Sequence, residues 1–271
     1  MRTQARGIIV TAAFALAVLS SACSRPEPKP ALTPAHASPG RTDYASPPRP
    51  VAASRAPGGE TVLSGFGGSD ALIRLASPDG SAIGATAGHD GAWALATPAS
   101  DQPRLYSLSQ DLDGRPLRAA GYIAALPAPG PAAAVLRPGT GAQSLAPSTT
   151  PLAITAIDFD GTGAAVVSGR SAPQAAVRVM IDGVEAGDDR ADGKGAFTAA
   201  VSRALRPGPH VVVAAVGPDR AEARFDALLV HAIATPPFQA TRAETGWRID
   251  WTTPGGGVQT TMLFDVEGPA Q

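Results

Sequence analysis

Trp247, Ile249 and Trp251 are spaced two residues apart, so an extended chain turns all three to one side and turns Arg248 and Asp250 to the other. Two of the chain's three tryptophans thus share one face. Left open, that face would stack sugar rings or a partner's side chains, with Arg248 beside it as a charged contact. Closed, it would plug a core, because burying one large apolar side chain contributes about 1.5 to 3 kcal/mol. The other groups that could do chemistry lead to none. His36, His89, His210 and His231 lack the spacing of a zinc site, and His210 reads as a strand residue whose ring packs on a neighbouring turn. Residues 158–163 (DFDGTG) and 188–193 (DDRADG) resemble calcium loops in composition only. The first lacks a third acid and a distal glutamate, and Arg190 in the second would repel a cation and pair with the acids. Aspartates bonding their own backbone to make turns explain both stretches. Residues 187–194 do not make a phosphate loop, since Gly195 stands where a hydroxyl is needed. There is no Gly-x-Ser-x-Gly elbow and no His-Glu-x-x-His. The expectation is a non-enzyme with no catalytic residue, no metal and no cofactor.

Composition narrows the class further. Among 271 residues, 22 are basic and 23 acidic, so at a net charge of −1 no global field draws in nucleic acid. With 30 glycines, 27 prolines and only 5% aromatics, the chain is built of turns and short extended pieces rather than helices. Arg2 and Arg6 precede an apolar run over residues 8–19, which would rise about 18 Å as a helix, too short for a hydrocarbon layer of roughly 30 Å. Small residues follow, and then Cys23, the only cysteine. This is the pattern of a cleavable export signal over residues 1–22. A lone thiol cannot form an internal disulfide in the oxidising space beyond the membrane.

Leu19, Ser20, Ser21, Ala22 and Cys23 together resemble the lipobox of bacterial lipoproteins, although Ser20 holds the place three before the cysteine where leucine is usual. The resemblance implies a thioether-linked diacylglycerol on Cys23, acylation of its amino group and therefore a membrane partner through lipid. Ser24, where an aspartate would favour inner-membrane retention, implies the outer membrane, facing the periplasm. Residues 23–58 are rich in Pro, Ala and Ser and poor in large apolar groups, the composition of a disordered tether.

The remainder repeats itself. Val62-Leu63-Ser64-Gly65 recurs as Val166-Val167-Ser168-Gly169 at an offset of 104 residues, and Gly91-Ala92-Trp93 recurs as Gly195-Ala196-Phe197 at the same offset. Val177, Val179 and Ile181 alternate with Arg178 and Met180, the period of a strand, while Asp79-Gly80, Asp113-Gly114 and Asp182-Gly183 supply hairpin turns. Both copies are therefore expected to be antiparallel β-sandwiches. The second copy, through Val177 to Val179, Asp182-Gly183, Ala191 to Phe197 and Leu205 to His210, is similar to bacterial Ig-like repeats of exported envelope proteins. The first copy departs from that pattern, with Arg104 standing where the second has His210. No LysM-like segment accompanies them.

The expected order is a signal peptide (1–22), a tether (23–58), a degenerate Ig-like sandwich (59–137), a linker (138–150), an Ig-like sandwich (151–232) and a tryptophan-bearing C-terminal hairpin (233–271). The fold class is all-β. The resemblance implies a lipid-anchored envelope protein with a protein or cell-wall partner, used for adhesion, scaffolding or protein interaction. The alternative is carbohydrate or peptidoglycan binding through an open face of Trp247 and Trp251.

Overall fold

The computed structural model describes residues 46–147, 150–234 and 237–265. Residues 1–45, and with them Cys23 and most of the tether, lie outside that range. In the first copy the strands are β1 (Arg49–Arg55), β2 (Thr61–Phe66), β3 (Leu72–Ala76), β4 (Ala82–Thr86), β5 (Ala92–Thr97), β6 (Arg104–Leu112) and β7 (Arg115–Arg118). Three short strands follow, β8 (Tyr122–Ala125), β9 (Ala133–Leu136) and β10 (Gln143–Ser144). The second copy has β11 (Ala153–Asp160), β12 (Ala165–Arg170), β13 (Ala176–Ile181), β14 (Val184–Arg190), β15 (Ala196–Ala200), β16 (Gly208–Val216) and β17 (Asp219–Ala227). The chain closes with β18 (Phe238–Ala243), β19 (Gly246–Thr252) and β20 (Val258–Phe264).

Both copies place three strands against four. Sheet β1-β2-β5 faces β4-β3-β6-β7, and β11-β12-β15 faces β14-β13-β16-β17, with every pairing antiparallel. That is an Ig-like sandwich made twice. The duplication reaches backbone detail, because the β1–β2 ladder slips between Pro50 and Ala52 and the β11–β12 ladder slips between Ile154 and Ala156, the same offset of 104 residues. Gly65 and Gly169 are equivalent too. A Cβ at either would strike the carbonyl of Arg49 or Ala153 and the ring of Trp93 or Phe197, so glycine lets the core aromatic lie directly on the strand.

Period-two patterning drives these strands. Val177, Val179 and Ile181 enter the second core, as do Val212 and Ala214 of β16, whereas Arg178 stays exposed. In the first copy Ile73 and Leu75 go in and Arg74 goes out. Hairpin β13–β14 turns on Asp182 and Gly183 at φ of 53° and 75°, the left-handed pair that matches strand twist. A Cβ on Gly183 would meet nothing within 4 Å, so its cost is backbone alone. Gly183→Ala should lower stability by about 1 kcal/mol in urea titration. An unchanged midpoint would show that the turn relaxes freely.

Three features differ from the sequence expectation. Residues assigned to the tether by their prolines form β1, an edge strand that tolerates Pro50 at its bulge and buries Ala53 against the first core. The stretch taken as a linker carries β10 and the buried Leu145, whose carbonyl accepts from the Ala53 amide at 3.0 Å. The C-terminal hairpin is present as β19–β20, but it gains β18 and pairs through β20 with β11, so the sheet reads β15-β12-β11-β20-β19-β18.

Candidate functional site

Leu105 and Tyr106 at the start of β6, together with β8 and β9, are buried on both faces. Tyr106, Ile123, Ala125, Ala133 and Val135 belong to the first core, while Leu105, Ala124, Leu126, Ala134 and Leu136 look the other way. What covers that second side is the indole face. Trp247, Ile249 and Trp251, with Ala156 and Leu263, complete a third apolar cluster lying between the two sandwiches. Trp251 is 0% exposed and Trp247 7%, and the Tyr122 ring meets Trp251 edge-on at 5.9 Å. An open stacking platform is thus corrected to an internal seam, because the small side chains of Ala124 and Ala134 let the first sandwich close over the rings. The described strands belong to one compact unit.

Polar groups pin the seam beside the indoles. The Trp251 Nε1–H donates to Thr261 Oγ1 at 3.1 Å, and that hydroxyl donates to Asp158 Oδ1 at 2.5 Å. Gln259 Nε2 donates to the same carboxylate oxygen at 3.0 Å, and the Ala142 amide donates to Oδ2 at 2.6 Å. Gln259 Oε1 in turn accepts from the Gly139 amide at 3.1 Å. The segment joining the sandwiches is therefore fastened to β11 and β20 by Asp158. Burial pushes the Asp158 carboxyl above the usual carboxylate range, and the bonds from Thr261, Ala142 and Gln259, together with the charge of Arg137, only partly oppose it. The sequence expectation placed Asp158 in a turn, but only Asp160 is there, accepting from the Thr162 amide at 2.8 Å and its hydroxyl at 2.6 Å.

Arg248 lies on the opposite face of β19 from the indoles. It forks onto Asp250 at 2.7 and 3.1 Å, donates to the Leu228 carbonyl at 2.7 Å, and sits over the Phe159 ring at 5.8 Å. It closes an end of the second core rather than meeting a partner. His210 braces a turn, as its position implied, with Nδ1 2.7 Å from Asp182 Oδ2 and Nε2 2.8 Å from the Arg206 carbonyl. The amide of Val211, followed by His210, holds the Asp182 carboxyl below its usual range. The ladders pair Leu75 with Leu108 and Val179 with Ala214, an offset of 106 residues that places Arg104 where the second copy has His210. Among the described residues Arg190 pairs with no acid; its Nη1 donates to the Gln174 carbonyl at 2.8 Å.

Fold and seam together define a tandem Ig-like β-sandwich protein whose modules share an apolar interface. No protein-family model matches the chain, and comparison with curated proteins gave no match. Among solved structures it is similar to a biofilm-associated protein's BSP domain at 14% identity and a TM-score of 0.23, covering 68% of this chain and 30% of that one. It is also similar to the central fibronectin-III array of RIM-binding protein at 14% identity and a TM-score of 0.25, covering 83% and 91%. The chain spans less than a third of the biofilm-associated chain's length.

Proposed function

We propose that the chain is a non-catalytic, lipid-anchored protein of the cell envelope, facing the periplasm from the outer membrane, whose paired Ig-like modules serve adhesion, scaffolding or protein interaction. The observation that carries this reading is the seam. Two sandwiches locked by Trp247, Ile249 and Trp251 present their surfaces in a fixed relation, which suits a rigid binding or spacing element. Supporting it, Asp160, Asp192 and His210 brace turns, and Asp158 is tied into the seam. The lipobox-like Leu19 to Cys23 and the proline-rich residues after it supply an anchor and a leash. Two or three acyl chains hold stably where one binds only marginally.

Cys23→Ser should move the protein from the detergent-extracted membrane fraction to the soluble fraction and abolish the mass gain of acylation. An unmodified Cys23 in a protein released by osmotic shock would overturn the anchor.

A further inference from the structure

A cleft of about 810 Å³ opens where the two sandwiches meet, within the range of roughly 300 to 1,000 Å³ common to ligand sites. Five cations line it: Arg49 from β1, Arg137 from the turn after β9, Arg170 from the end of β12, Arg190 from the end of β14, and Lys194 from the loop that follows. Among the described residues none of the five makes an ion pair. Their hydrogen bonds go to carbonyls, from Arg137 to Gly141 at 3.0 Å, Arg170 to Ser144 at 3.4 Å, and Arg190 to Gln174 at 2.8 Å.

The two acids in the lining are already engaged. Asp189 accepts from the amides of Arg190 at 2.8 Å and Thr198 at 2.6 Å, and Asp192 accepts from those of Lys194 at 2.7 Å and Ala196 at 2.9 Å. The Asp192 carboxyl is held below its usual range by those two amides and then by the charges of Lys194 and Arg170. Five cations against two carboxylates leave positive charge in excess, and a concave wall of low dielectric concentrates its field. The floor differs from the rim. It belongs to the outer sheet face that β19 and β20 continue, where Thr155 and Ser168 are buried, Thr155 donating to the Ser168 carbonyl at 3.3 Å, and Thr198 is half-buried. The Ser168 hydroxyl is buried there without a hydrogen-bond partner among the described residues.

We propose that this cleft binds an acidic oligosaccharide, with sugar carboxylates on the guanidinium rim and sugar hydroxyls against Thr198 on the floor. Guanidinium forks match carboxylates in two parallel bonds. A flat bilayer cannot enter a concave site, and a nucleic-acid strand would want exposed rings for its bases, whereas Phe197, the aromatic lining residue, is 2% exposed. This site is separate from the closed indole face, and the proposal does not rest on the anchor at Cys23.

Calorimetry on the full chain in detergent tests it, using tetragalacturonate, neutral maltotetraose and inorganic tripolyphosphate as probes. Tetragalacturonate should bind saturably and more weakly as salt rises. Arg190→Ser with Lys194→Ser should weaken it about tenfold, while Arg115→Ser with Arg118→Ser, the same charge change on exposed β7, should leave it within about twofold. Thermal melts of both double variants verify that they are folded. No binding of tetragalacturonate at millimolar concentration, equal binding of maltotetraose, binding of tripolyphosphate alone, or equal weakening by the β7 pair would each overturn the proposal. Acylation of Cys23 is read by mass, so it stands or falls independently.

Discussion

Trp251→Ala should destabilise the protein by about 4 kcal/mol and divide its unfolding into two steps. The indole is fully buried between the sandwiches, so truncation leaves a large void bounded by two bodies that have no backbone ladder joining them at that point. It also removes the donor to Thr261 and the ring that Tyr122 meets. In the variant, fluorescence reports Trp93 in the first core and Trp247 in the seam, while circular dichroism reports all strands. In the parent protein the two urea transitions should coincide. In the variant the fluorescence transition should separate from the circular dichroism one. Coincident curves with a loss under about 1 kcal/mol would show that the seam carries little coupling. Trp247 should matter less, because its indole N–H is buried without an acceptor among the described residues and already offsets part of what its rings contribute.

The second large effect lies one hydrogen bond away. Asp158→Ala should cost about 3 kcal/mol at neutral pH, since it strands the Ala142 amide, the Thr261 hydroxyl and the Gln259 amide, and an orphaned buried donor costs about 1 to 3 kcal/mol. Its pH dependence has a definite sign. The folded-state pKa is raised, so the folded protein binds this proton more tightly than the unfolded chain does. The stabilisation is complete below the unfolded value near 3.9 and is lost as pH rises through the folded value. The stability gap between parent and variant should therefore widen as pH is lowered from 7 toward 4. A gap that narrows would mean that the hydrogen bonds outweigh burial at this carboxylate.

Strands with one wet face were legible in the sequence. Val177 to Ile181 shows the alternation that water on one side imposes, and the duplicated Gly65 and Gly169 mark the same close packing in both copies. Residues covered on both sides were not. Ala124 and Ala134 fall within the expected first sandwich, 59–137, but an alanine carries no sign of which neighbour will close over it. Trp247 and Trp251 were visible as a face, but whether that face was open depended on a surface more than a hundred residues earlier. Asp158 stood between Ile157 and Phe159, an acid inside an apolar strand, which was the available sign of a buried polar role. The cationic cleft left no such trace. Its five charges come from four separated stretches and vanish into a net charge of −1.

The order in which the seam is synthesised bears on quality control. Leu105, Leu126 and Leu136 leave the ribosome long before Trp247 and Leu263 exist to cover them. A polypeptide terminated ahead of Gly246 would retain the ladder pairings of both sandwiches yet display a bare leucine-rich flank, the kind of surface that invites proteolysis or aggregation. Completion of the last hairpin thus hides that flank from proteases and from other chains.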